Sequence, residues 1–540
     1  MRSFITLYMW VAVLQLGVLS TPSYGDNPIA KLDSGNAIGF TKTDVLSGKK
    51  LNAWLGIPFA EEPLRWGPPK SPKSWNAPFN ASKVGPACIQ QFNYPEPRRG
   101  LIRQWFNTPT PAESEDCLSV CVYAPYGHHK KPKAVLVWYY GGGLLYGSNA
   151  VEKYDFSNMA VNNDVIVVVP NYRTNGFGFP GSPQIPVAEG NPGLLDQRLA
   201  LDWVRRNIAA FGGDPGQVTI FGESAGAASV DYFLTQPPKP LNFRAAIMQS
   251  GTSTFRARPA NPATGWNILV NGVGCTNATD ILACMRSVPV DDLRNYQEQN
   301  RVPWAPIFDN VTSSLTARSN RLNSTQENPG DFARVPILGG SNADEGRLYS
   351  VSAINATSFL KPLLGFTTDE QVYAFLENYP LSDGYENEFE QLAAPYRDFI
   401  FQCPARLVHL ETAQVGVPSW RYYYNASFPN LDIFDDAGVY HSSEIALVSG
   451  TFPANGSTPY QHQLSNYIQK IWCDFAKDPY GFGRPPWPQV PQALAELGHS
   501  RVETPVGDEG PLLTVLDSTK TDEVDKHCLL YQTLYDLLSA

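Results

Sequence analysis

The segment Gly222-Glu223-Ser224-Ala225-Gly226 limits what this chain can fold into more than any other stretch of its 540 residues. The β-prone run Val218-Thr219-Ile220-Phe221 comes immediately before it, and the small, apolar run from Ala225 to Leu234 reads as a helix. A serine set between such elements sits in a strained strand-to-helix turn. Glycines on either side keep the crowded backbone free of side-chain clashes. The five-residue pattern alone recurs by chance, so its weight comes from the strand before it and the helix after it.

The surrounding pattern agrees with that turn. Buried-strand runs occupy 134–139, 165–170, 218–221 and 245–248, with later ones at 335–338 and 419–424. Between them, 194–211 has helical periodicity, with Leu195, Leu199, Leu201 and Val204 on or near one face, and Gly212-Gly213 stops it. The tail, 521–538, reads as one terminal helix. Strands alternating with helices imply a mostly parallel sheet covered on both faces, an α/β fold. At roughly 150 residues per domain the length suggests three or four domains. No repeat, low-complexity block or linker divides the chain, so one large domain over 26–540 with long insertions is expected. Hydrophobic residues make up 43% and charged ones only 17%, enough for a large core. A net charge of −10 lacks the basic footprint of a nucleic-acid binder.

The first residues speak to compartment. Met1-Arg2-Ser3, an apolar run from Phe4 to Leu19, and small residues at Ser23 and Gly25 read as a cleaved secretory signal over 1–25. The run is short for a membrane span, so no stable membrane anchor is expected. Acceptor triplets for N-linked glycans stand at Asn80, Asn277, Asn310, Asn323, Asn355, Asn425 and Asn455, which fits secretion and surface loops. The 8 cysteines are compatible with disulfides, and Cys275 with Cys284 is suggested by closeness. Cys117 and Cys121 lie in one strand-like run, 117–123, on the same face. They are too far apart there to bond each other.

A serine nucleophile needs a base, and the chain has 7 histidines. His128 and His129 lie in a Lys-rich loop, His409 and His462 in helical segments, and His499 and His527 in polar C-terminal stretches. His441 stands in a loop that opens an apolar segment, downstream of Ser224, in the Ser…acid…His order of α/β-hydrolases. Its spacing to Glu444 resembles a metal pair, but no second ligand cluster accompanies it, and neither a metal nor a cofactor is expected. The acid then falls between Ser224 and His441. Glu345 follows the strand Pro336-Ile337-Leu338, and Asp344 is its neighbouring competitor. Gly141-Gly142-Gly143 just past a strand, with Ala225 after the serine, would supply N–H donors for an oxyanion.

Taken together these residues resemble the type-B carboxylesterase/lipase family, which includes cholinesterases and secreted fungal esterases. Its markers are Ser114-Glu115-Asp116-Cys117-Leu118, Tyr140-Gly141-Gly142-Gly143 and Asn191-Pro192-Gly193-Leu194-Leu195-Asp196-Gln197. Phe211-Gly212-Gly213-Asp214-Pro215, the serine turn, Gln249-Ser250-Gly251, Asp344-Glu345-Gly346 and His441-Ser442-Ser443-Glu444 complete the set. The resemblance implies an α/β-hydrolase fold with a triad of Ser224, Glu345 and His441, and it favours Glu345 over Asp344. It also implies oxyanion donors at Gly142, Gly143 and Ala225. Disulfides are implied at Cys88–Cys117, closing a lid loop over 88–117, at Cys275–Cys284, and at Cys403–Cys528. Cys121 and Cys473 have no counterparts, and are free or joined to each other.

The same resemblance implies a secreted carboxylic-ester hydrolase that takes a small-molecule ester. A lipase, a cholinesterase and a non-catalytic adhesion-type binding protein on this fold are the alternatives. Tyr140 stands where many members carry His, Leu144 replaces a usual Phe beside the acyl pocket, and 171–176 is less regular than usual. Trp105 is similar in place to the cholinesterase residue that holds a quaternary ammonium, although a hydrophobic lid contact is the favoured reading. Three arginines in its loop, Arg98, Arg99 and Arg103, would repel a cation. Glu223 would favour a cation, and the plainer alternative is a salt bridge that supports the turn. Oligomeric state is left open.

Overall fold

A computed structural model describes residues 27–92, 96–127, 131–255, 261–351, 353–383, 385, 387–499 and 510–538. The signal expected over 1–25, and His128 and His129, lie outside those residues. In chain order the strands are β1 (Ile29–Leu32), β2 (Gly35–Ile38), β3 (Phe40–Thr43), β4 (Lys50–Pro58), β5 (Phe79–Asn80), β6 (Ser119–Pro125) and β7 (Lys133–Tyr139). They continue as β8 (Ile166–Pro170), β9 (Gly213–Glu223), β10 (Ala245–Gln249), β11 (Ile337–Asn342), β12 (Ser419–Tyr424), β13 (Leu494–Leu497) and β14 (Leu513–Leu516).

An 11-stranded sheet has the order β14-β13-β12-β11-β10-β9-β7-β8-β6-β4-β3, and β1, β2 and β5 form a small separate sheet. Neighbours run parallel from β8 across to β13. Pairing turns antiparallel at both margins. The central strands are the continuous apolar runs of the sequence, and β8 and β10 are buried along their whole length. Parallel strands need such runs because helices cover both of their faces.

The period of two along β7 shows how the core divides. Leu136 and Trp138 point into one layer with Met159, Ile468 and Phe475, under helices Ser157–Asn163 and Pro459–Lys477. Val135, Val137 and Tyr139 point into the other with Leu201, Val204, Val230 and Phe233, under helices Pro192–Asn207 and Ala225–Thr235. The chain passes from β7 to β8 on one side, then returns to place β9 on the other side of β7. That reversal is a topological switch point, and open α/β sheets collect their sites at the carboxyl ends of the strands there, here β7 and β9.

Several elements differ from the sequence reading. The helix expected over 194–211 runs Pro192–Asn207 and tightens into a turn at Ile208–Phe211, and Gly212 ends it at φ 88°. Leu195 and Leu199 are only half-buried, while Asp196 and Gln197 are fully buried. Polar partners explain this, since Asp196 takes the Arg173 guanidinium at 2.7 and 2.8 Å and Gln197 donates to Ser229 Oγ. The single terminal helix is broken into Ser518–Val524, Cys528–Tyr531 and Gln532–Leu538. The break falls where tertiary ties override local propensity, because Asp525 binds the buried Arg421 at 2.6 Å and Cys528 is bonded to Cys403.

Cys117 precedes β6 rather than lying in it, and is bonded to Cys88, so the loop between them, which carries helix Arg98–Phe106, is closed at its base. Cys275–Cys284 and Cys403–Cys528 are also formed. Cys121 and Cys473 are buried and unbonded, and burial pushes the Cys121 thiol up to about 12. Among the described residues no helix is long and apolar enough to cross a membrane.

Loop closure ranks the cross-links. Cys403–Cys528 spans 125 residues and Cys275–Cys284 only 9. Paired serine replacement of the first should cost about 5 kcal/mol and of the second about 3 kcal/mol in the chain-entropy picture. Thermal unfolding at matched scan rates checks that order, with the larger fall in Tm for Cys403→Ser/Cys528→Ser.

Candidate active site

The turn after β9 is built by close approach. A Cβ on Gly226 would collide with the Tyr139 carbonyl oxygen at the end of β7, and one on Gly222 would lie 2.6 Å from the same oxygen. Only glycine lets helix Ala225–Thr235 enter this near the sheet. Ser224 takes φ 56° and ψ −119°, a backbone state that costs a non-glycine residue about 1–3 kcal/mol. Its N–H donates to Gln249 O at 2.8 Å and its carbonyl accepts from Ala228 N at 2.9 Å, which fix the turn from both sides. The serine is half-buried and stands at the N-terminus of the helix.

The glycines after β7 lie beside it. Gly142 and Gly143 have φ of 102° and 63°, which a side chain would disfavour. Their N–H groups, and that of Ala225, make no hydrogen bond within the chain among the described residues. Tyr140 and Tyr172 anchor this segment to the loop after β8, because each hydroxyl donates to the other's carbonyl, at 3.1 and 2.6 Å. Leu144 holds φ 63° and is buried in the same core cluster as Tyr140 and Tyr154.

The two carboxylates at the end of β11 separate cleanly. Glu345 is fully buried; its Oε1 accepts from Asn342 N at 2.7 Å and its Oε2 from Nδ1 of His441 at 2.5 Å. Asp344 faces elsewhere, accepting from Val439 N at 2.9 Å and pairing with Arg347 at 3.3 Å. His441 is buried, stacks on Phe401 with ring centroids 4.4 Å apart, and has Tyr349 at 5.5 Å. Its Nε2 has no hydrogen-bond partner among the described residues.

Sequence reasoning missed the polar shell behind these groups. Glu223 makes no salt bridge with Lys or Arg among the described residues. Instead it accepts from Ser442 Oγ at 2.5 Å and lies 3.2 Å from Nε2 of His441. Burial raises its pKa, an effect that the His441 charge opposes. Glu444, the partner considered for a metal, accepts from Asn342 Nδ2 at 2.7 Å and Gln249 Nε2 at 3.0 Å. Burial works against charge on His441, but Glu223 first and then Glu345 outweigh it and hold the imidazole at about 9.

Trp105 is half-buried in the loop closed by Cys88–Cys117, and its ring lies edge-on to Tyr440 at 6.3 Å. The Lys153 ammonium rests 3.8 Å from its centroid. Three of the other described histidines have partners elsewhere. His409 meets Ser419 Oγ at 2.7 Å, His527 lies 3.1 Å from Asp398, and His462 meets Ser457 Oγ at 2.9 Å.

The charge balance makes a pH prediction. An imidazolium cannot accept a proton, so any reaction that needs neutral His441, held near 9, would have a rate that climbs with pH above the usual histidine range. Removing the Glu223 charge favours the neutral ring, so Glu223→Gln should move the acid limb of kcat/KM to lower pH and reduce its plateau. A pH–rate profile of both proteins decides it. The midpoint does not depend on the fraction of folded enzyme.

Comparison with known proteins agrees with this geometry. The model of the carboxylesterase family matches residues 26–506. Acetylcholinesterase of Bungarus fasciatus is 32% identical over 469 residues, which cover 80% of this chain and 75% of that protein. A large mixed sheet, a serine turn at the carboxyl end of its central strands and a match over most of the length lead to one statement: the chain belongs to the carboxylesterase family and is a carboxylic-ester hydrolase.

Proposed function

We propose that Ser224, His441 and Glu345 act as a nucleophile–base–acid triad in a hydrolase exported through the secretory pathway. His441 Nε2 takes the Ser224 proton as Oγ attacks the ester carbonyl. Glu345 holds the Nδ1–H tautomer and stabilises the imidazolium. The developing oxyanion is received by the N–H groups of Gly142, Gly143 and Ala225. The tetrahedral intermediate expels the alcohol, which takes the proton from His441, and water repeats the cycle on the acyl-enzyme. The observation that carries this reading is the 2.5 Å Glu345–His441 hydrogen bond, with Nε2 making no hydrogen bond among the described residues, close to a strained serine turn. The three unengaged N–H groups support the oxyanion site.

In this reading residues 1–25 are removed and 26–540 act as one hydrolase unit. Three disulfides fit an oxidising compartment. Asn80, Asn277, Asn310, Asn323, Asn355 and Asn455 are exposed and suited to glycan attachment. Asn425 is half-buried, with its Nδ2 donating to Glu496 at 2.7 Å, and is poorly placed. Peptide mapping before and after glycan removal should therefore find glycans among the first six sites and none at Asn425.

Ser224→Ala should lower kcat/KM for a simple ester by a factor on the order of 10⁴ or more. Glu345→Gln should cost about 10³ to 10⁴-fold by releasing the imidazole tautomer. Full activity in Ser224→Ala overturns the triad. A rate panel over short-chain, long-chain, aryl and choline esters separates a general esterase from a lipase or a cholinesterase. A protein inactive throughout the panel would fit the adhesion-type alternative.

A further inference from the structure

Several aromatic rings of the loop closed by Cys88–Cys117, and Tyr349, have basic side chains of the chain itself against their faces. Lys153 lies in the short turn Glu152–Tyr154, only 9% exposed, with Nζ 3.8 Å from the centroid of Trp105 and 4.3 Å from that of Phe106. That nitrogen has no hydrogen-bond partner among the described residues. Arg98 repeats the arrangement. Its guanidinium lies 5.7 Å over the Tyr349 ring and donates to Tyr349 O at 2.8 Å. Arg103 lies 5.6 Å over Phe92 in the same loop.

Two of these rings, Trp105 and Tyr349, stand near the His441 segment. In the proposed reaction the alcohol takes its proton from Nε2 of His441, so it departs on the His441 side. Tyr440 adjoins His441 in sequence and meets Trp105 edge-on at 6.3 Å, and Tyr349 faces the imidazole at 5.5 Å. A cationic alcohol would need an open, electron-rich ring face there. The Trp105 face is filled, and a second cation would meet the first at short range. Burial pulls Lys153 below the usual lysine range, with Glu223 and Glu444 opposing. Charged or neutral, the side chain occupies the ring.

We propose that Lys153, by filling the face of Trp105, sets the charge selectivity of the alcohol side of this site, so that the enzyme takes esters of uncharged alcohols and turns away cationic ones. The proposal rests on the esterase reading above and names the substrate class of that site.

The test compares two acetate esters of nearly equal shape, choline acetate and its neutral carbon analogue, 3,3-dimethylbutyl acetate. The unmodified enzyme should favour the neutral ester by about tenfold or more in kcat/KM. Lys153→Ala, which clears the ring, should shift the ratio toward the cation by about tenfold. Lys153→Met removes the charge and keeps the stem, so it should shift the ratio by less, and Lys153→Arg should retain the original preference. The ratio is insensitive to the fraction of folded protein. If Lys153→Ala fails to fold, the methionine and arginine variants still decide. A preference of the unmodified enzyme for choline acetate overturns the proposal, as does a ratio unchanged in both Lys153→Ala and Lys153→Met. If neither ester is hydrolysed, or if hydrolysis survives Ser224→Ala, the esterase reading falls and this proposal with it. Hydrolysis that depends on Ser224 with an unmoved ratio removes the proposal alone.

Discussion

The contact between the Gly226 backbone and the Tyr139 carbonyl oxygen is the constraint on which the rest of the site depends. It brings the first turn of helix Ala225–Thr235 against the end of β7, and it forces Ser224 into its strained φ and ψ. The sheet supplies the restraint, because β7 and β9 are parallel neighbours paired from Val135–Val218 to Tyr139–Gly222. Strain of about 1–3 kcal/mol at one residue is small against a strand pair buried on both faces. The same approach sets Gly141 beside Glu223, where a Cβ would lie 2.5 Å from Oε2. The serine, the glycine loop and the buried glutamate are thereby located together.

Burial then makes the charge arrangement act at close quarters. Glu223, Glu345, Glu444 and His441 are each less than 4% exposed, and each finds hydroxyl, amide, backbone or imidazole partners. Isolated charges at that depth would be prohibitive, so the amides of Asn342 and Gln249 are as necessary as the ions they touch. Gln249 also accepts from Trp472 Nε1 at 3.0 Å, which links the shell to helix Pro459–Lys477. In the proposed reaction, an imidazole held toward its charged form is suited to stabilising the cation that would form as the serine gives up its proton. The cost would be a base that is less available in the resting state.

Much of this was legible in the sequence where the signal was local. The serine turn, the strands around it and the glycine loop each announce themselves through contiguous residues, and 419–424 coincides with β12. Pattern alone gives Glu345 only a modest lead over Asp344, because they are neighbours of the same type, and it is the family resemblance that favours Glu345. Only the path of the turn after β11 sends one to His441 and the other to Val439. Glu223 does form an ion pair, but its partner is His441, with Ser442 beside it, far along the chain and not a lysine or arginine near the turn. Lys153 gave no signal, since Glu152-Lys153-Tyr154 looks like an ordinary surface turn. The single terminal helix of the pattern is broken because Asp525 and Cys528 answer to distant partners rather than to helical periodicity.

The central claim is that the strained serine is the nucleophile, and covalent capture tests it most directly. A fluorophosphonate reacts with an activated serine and leaves a stable adduct that peptide mass spectrometry can locate. The account predicts one adduct per chain, on the peptide carrying Ser224, formed at a rate that falls in Glu345→Gln as ester hydrolysis falls. Ester hydrolysis that persists with Ser224 unlabelled, or a stoichiometric adduct on another residue, would contradict it.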